Sequence, residues 1–66
     1  MRSDKEVAAL ADHLDYLLEG VDVSRILKVR SELVEELRRR GFYAGNGTSI
    51  RTLLQQARNV GVGRGG

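Results

Sequence analysis

Apolar residues recur at steps of three and four through the first third of the chain: Val7, Leu10, Ala11, Leu14, Leu17, Leu18 and Val21. That spacing lays a single stripe along a helix of about 3.6 residues per turn. Ser3, with Glu6 three positions on, is the pair that satisfies a helix's first free amides reciprocally. Asp4 and Glu6 also suit the positive end of the helix dipole. Gly20 offers a stop, so a first helix is expected over about 4–19.

A second stripe, Ile26, Leu27, Val29, Leu33, Val34 and Leu37, fills about half of a helical wheel. Asp22 or Ser24 would cap it, the run Arg38, Arg39, Arg40 suits its negative end, and Gly41 ends it. One helix over about 24–40 is the simplest reading. The same residues admit another parse. Residues 25–30 form a short strand with Leu27 and Val29 on one face and Lys28 and Arg30 on the other, and a shorter helix begins at Ser31. A third stripe, Ile50, Leu53, Leu54, Ala57 and Val60, predicts a helix over about 48–59 capped by Thr48 or Ser49.

Residues 41–47 (GFYAGNG) read as a turn, in which three glycines and Asn46 allow positive φ and Phe42 and Tyr43 pin the loop to the core. Residues 61–66 are too rich in glycine to order alone and are expected to be a flexible tail. The expected fold is therefore all-α, a single three-helix domain over residues 1–60. The alternative is a helix followed by a ribbon-helix-helix arrangement with its strand at 25–30.

Size adds a constraint. A chain of 66 residues buries only about 60% of its unfolded surface, and with no cysteine no disulfide supports it. Self-association is the expected remedy: a homodimer through Leu10, Leu14, Leu17, Leu33 and Leu37, with Tyr16 as a further contact.

Charge changes the picture more. All nine acids lie at or before Glu36, against five cations in that segment, whereas residues 37–66 hold six arginines and no acid. The net charge of +2 hides a dipolar molecule whose acid-free half suits a polyanion. Along the third helix, Thr48, Arg51, Thr52, Gln55, Arg58 and Asn59 share the side opposite the apolar stripe. These residue types read nucleic acid: Arg pairs with guanine, Gln or Asn with adenine, and Thr hydroxyls with phosphate. The amides at Thr48 and Ser49 are suited to a phosphate. Arg38, Arg39 and Arg40 sit just before the turn and extend the cationic surface. Arg64, between glycines, forms a single RGG-like element.

Other chemistry fails early. His13 is the only histidine, and Asp12, Asp15 and Glu19 are strung along a helix rather than gathered in a pocket. The Gly45-Asn46-Gly47 turn lacks the lysine and the preceding strand of a nucleotide-phosphate loop. No enzyme, cofactor or metal is expected. No apolar run approaches the roughly 20 residues of a membrane span, and the start of the chain has no secretory h-region. The expected setting is cytoplasmic, with no membrane.

From Arg25 to Asn59 the chain resembles the ribbon-helix-helix family of small dimeric DNA-binding regulators, found among plasmid copy-control, partition and antitoxin proteins. Residues 25–30 (RILKVR) match the ribbon, 31–41 (SELVEELRRRG) the first helix and 48–57 (TSIRTLLQQA) the second. The resemblance implies that Lys28 and Arg30 enter the major groove, with Ile26 the outward apolar residue, and that Thr48 and Ser49 clamp a phosphate. The first helix and the turn differ in length from the family pattern, and an extra helix precedes the ribbon. Those departures favour three helices, the third acting as a recognition helix. The expected function is a small dimeric DNA-binding protein, a transcriptional regulator or accessory factor of phage or plasmid type, with DNA favoured over RNA. The alternative is a protein-interaction module (an antitoxin, an inhibitor or a virion assembly component) docking an acidic partner.

Overall fold

The computed structural model describes residues 2–20 and 22–60 in full, together with the backbone of 61–63. It contains α1 (Asp4–Gly20), α2 (Val23–Arg39) and α3 (Ile50–Gly63), with no strand among the described residues. Each helix begins on a side-chain cap that its own sequence supplies. The Ser3 amide donates to Glu6 Oε1 at 2.8 Å and the Glu6 amide to Ser3 Oγ at 3.2 Å, the reciprocal pair expected from their spacing. The bond from the Ser3 amide holds the Glu6 carboxyl below its ordinary pKa.

Asp22, rather than Ser24, starts α2, its Oδ1 accepting the Arg25 amide at 3.2 Å. The Ile26 amide then donates to the Asp22 carbonyl at 3.0 Å, and helical bonding runs straight through 25–30. The strand parse is thereby overturned: the cap at 22 starts a helix whose own bonding uses the backbone groups of 25–30 that a ribbon would need. At the far end Gly41 takes φ +89°, its amide reaching the Arg38 carbonyl at 3.1 Å while the Phe42 amide reaches that of Leu37 at 3.0 Å. This is the left-handed glycine closure that satisfies a helix's last carbonyls.

For α3 the cap is Ser49, not Thr48: its Oγ accepts the Thr52 amide at 3.2 Å and its carbonyl the Leu53 amide at 3.0 Å. The helix continues through Gly63, beyond the expected stop near 59, so residues 61–63 are not the tail that their composition suggests. Val60, only 4% exposed, anchors that last stretch from its start. Val21, Arg64 and the remainder of the expected tail lie outside the described residues.

The core is shared by all three helices: Val7, Ala11, Leu14 and Leu17 from α1, Val29, Leu33 and Leu37 from α2, and Leu53, Ala57 and Val60 from α3. α1 packs on both partners, most broadly on α3, while α2 and α3 meet least. This arrangement corrects the expected dimer face. Leu14, Leu17, Leu33 and Leu37 are buried within one chain and Leu10 packs at the edge of the same cluster. The reason is that α3 folds back over α1 and covers the stripe that a two-helix hairpin would leave for a partner. Leu27, by contrast, is turned outward and is largely exposed, as are Val23 and Tyr16.

An ion cluster closes the hairpin of α1 and α2. Arg40, the residue that caps α2, donates from Nε to Asp4 Oδ1 and from Nη1 to Glu36 Oε1, each at 3.0 Å, and from Nη2 to the Arg2 carbonyl. Burial works against the Arg40 charge, but the bonds to Asp4 and Glu36 outweigh it and raise its pKa. The same Arg40 bond, opposed by burial, holds the Glu36 carboxyl below its ordinary value. Arg2 adds a bond to Glu32 at 3.0 Å.

Candidate nucleic-acid interface

The segment between α2 and α3 is irregular in backbone but heavily tied. Phe42, the residue after the left-handed Gly41, packs against the core. Arg30 Nη2 reaches the carbonyls of Gly45 at 3.1 Å, Asn46 at 3.0 Å and Thr48 at 2.7 Å, sharing its hydrogens among them. Thr48 Oγ1 accepts the Gly45 amide at 2.9 Å, and Gln56 Nε2 donates to the Tyr43 carbonyl at 3.1 Å. Among the described side chains, Gln56 Oε1 is buried without a hydrogen-bond partner.

These bonds settle several expected contacts differently. Arg30 is a staple for the loop, not a groove-reading side chain, because a helical 25–30 turns it toward the segment that follows α2. Lys28 is exposed on α2, and Ile26 packs against the core instead of facing outward. The Thr48 hydroxyl is spent inside the turn. Of the three consecutive arginines, Arg39 pairs with Glu35 at 2.8 Å, which raises its pKa, and Arg40 is taken by the hairpin cluster. Arg58 reaches back to Asp15 of α1 at 3.6 Å. An acid-free half in sequence is therefore not acid-free in space, since α1 and α2 bring carboxylates to three of its arginines.

Arg38 and Arg51 remain. Both are exposed, and the guanidinium of neither has a hydrogen-bond or ion-pair partner among the described residues. Arg38 borders two adjoining depressions. One lies between the loop and the start of α3, where Tyr43, Asn46, Ser49 and Thr52 form its walls. The other runs along α2 past Val34 and Glu35 to Asn46. Thr52 carries the first depression onto the outer arc of α3, where Arg51, Gln55 and Asn59 are exposed. On that arc Ser49 Oγ and Thr52 Oγ1 are 2.9 Å apart, and Gln55 Nε2 donates to Asn59 Oδ1 at 3.2 Å. These are exposed neutral contacts that a ligand can replace at little cost.

Tyr43 departs furthest from expectation. It does not pin the loop; its side chain is 94% exposed. The signal for this was present: the residue after a left-handed helix stop customarily makes the hydrophobic contact, so Phe42 turns in and its neighbour turns out. Among the described residues no group of three His, Cys, Asp or Glu side chains could hold a metal ion, and no helix is long and apolar enough to cross a membrane. No protein-family model matches the chain, and no curated protein and no solved structure matches it either.

Proposed function

We propose that this three-helix protein binds DNA, as a regulator or accessory factor, through the outer arc of α3 and the adjoining corner at Arg38. The observation that supports this reading is the continuity of one surface. Arg51, Thr52, Gln55 and Asn59 are exposed on a helix with no carboxylate of its own, and Thr52 joins them to the depression that Arg38 borders. Two guanidinium groups with no partner among the described residues frame it, one at each end of the loop. The arc supplies amide and hydroxyl groups for base edges, and the two arginines supply phosphate contacts. The acids Asp12 and Glu19, which have no ion-pair partner among the described residues, are on α1, at exposed positions of another helix.

The test is fluorescence anisotropy with a duplex of mixed sequence across a salt series. Binding is expected to weaken linearly in log salt, and Arg38→Ala with Arg51→Ala to flatten that slope by about 2. Arg39→Ala, whose charge is already met by Glu35, is expected to change it less. Absence of binding at micromolar protein and low salt, with helicity intact, would end the DNA reading and turn attention to an acidic protein partner.

A further inference from the structure

The loop between α2 and α3 carries a contradiction between its backbone and its tip. Its backbone is held by Arg30 at three carbonyls, by the Thr48 hydroxyl at the Gly45 amide and by Gln56 at the carbonyl of Tyr43 itself. Its most apolar free side chain, the Tyr43 ring, is held in water. Burying that ring would favour the fold, since a large aromatic is worth a few kcal/mol when removed from water. Instead the chain fixes the one carbonyl that sets where the ring starts. The aromatic therefore stands on a tied backbone at the depression that Arg38 also borders, so little of the loop backbone is left to order on binding.

We infer that the depression between Arg38, Tyr43 and the first turn of α3 receives an unpaired nucleotide, its base on the Tyr43 ring and its phosphate on Arg38. This rests on the DNA reading above and adds to it a subsite for a strand with exposed bases. Duplex DNA hides the faces of its bases, so an aromatic ring finds none to stack on, whereas every unpaired base presents one. The charge fits as well. Arg38 and Tyr43 border the same depression, its other walls include Asn46, Gln56 and the hydroxyls of Ser49 and Thr52, and no carboxylate is among them. Asn46 and Thr52 offer hydrogen bonds that suit any base, which points to a preference for single strands over any particular sequence.

The experiment compares an oligothymidylate with a blunt duplex of the same length, in anisotropy titrations at one salt concentration. Tyr43→Ala keeps the backbone carbonyl that Gln56 uses, so the loop stays tied. It is expected to weaken single-strand binding by about 5- to 150-fold and to weaken duplex binding far less, since a duplex offers the ring no base face. Tyr43→Phe should bind like the parent, since stacking needs the ring and not the hydroxyl. The chain has no tryptophan, so Tyr43→Trp places a single reporter at the site, and its emission should be quenched on adding the oligothymidylate. Single-strand affinity unmoved by Tyr43→Ala, or lost equally in Tyr43→Phe, overturns the stacking site while the salt-dependent duplex binding still supports the DNA reading. Failure of the parent protein to bind either strand form ends both.

Discussion

Arg38, Arg39 and Arg40 are adjacent and chemically identical, yet one is free, one is half-engaged and one is a structural tie. Arg40 is spent on Asp4 and Glu36, Arg39 on Glu35, and Arg38 meets solvent at the loop depression. Successive helical residues are turned by about 100°, so three neighbours face three environments. The next residue, Gly41, has the most sharply defined role. It holds φ +89° with nothing within 4 Å of where a Cβ would sit, so the strain of a substitution there is conformational alone. Gly41→Ala is expected to destabilise by about 1–2 kcal/mol. Thermal melting followed by circular dichroism should fall by about 4–8 °C per kcal/mol. An unchanged midpoint would mean that the closure of α2 contributes nothing.

At this scale the legible features were those whose partners lie a turn away. Ser3 with Glu6, Asp22 with the Arg25 amide, and Gly41 at a helix end can all be read because a helix fixes the geometry of residues three or four apart. Arg30 could not be read so. Its acceptors are fifteen to eighteen positions later in a segment with no period, and they come within reach only once α3 has folded back. The fate of Arg40 depends on Asp4, thirty-six positions earlier.

Among the elements, the contact of α1 with α2 carries a pH dependence. Arg40 holds the Glu36 carboxyl below its ordinary value of 4.5 in the fold, whereas the unfolded chain releases it from that bond. The unfolded state therefore takes up the proton first on acidification. The stabilisation is fully present above about pH 4.5 and is lost as pH falls through the depressed folded value. Urea midpoints taken from neutral pH down to about pH 3 should decline, and Glu36→Gln should lower the neutral value while flattening the acid limb. An equally steep acid limb in that variant would place the dependence on other carboxylates. The hydrophobic periods correctly located all three helices, and Asp22 decided between helix and strand for 25–30. They could not say what covers each stripe. The leucines of α1 and α2 fit a partner chain as well as they fit α3, because amphipathicity marks a face for burial without naming what buries it.

For the molecule as a whole, the core is small and α1 is its common wall. Leu53 is fully buried where α3 joins that wall. A core in a chain this short supplies about 3–5 kcal/mol, and truncating a buried leucine removes about 2–5 kcal/mol. Leu53→Ala should therefore leave the fold only marginally stable, with a substantial unfolded fraction at room temperature read as reduced helical ellipticity and a strongly lowered melting midpoint. A variant that melts within a few degrees of the parent would show that stability comes from outside this core, with self-association the first place to look. The same compactness moves the acids of one half onto the arginines of the other, so the charge asymmetry written along the chain is only partly displayed on its surface.

The absence of any carboxylate on α3 has one more consequence. A helix with no negative side chain has no ion pair between its own successive turns, so its helicity rests on the Ser49 cap, the Gln55–Asn59 contact and packing against α1 and α2. On its outer side Arg51 has no ion-pair partner among the described residues. Were a polyanion to settle on that side, as proposed, it would supply counter-charge to the segment, and by mass action its occupancy would favour the folded helix.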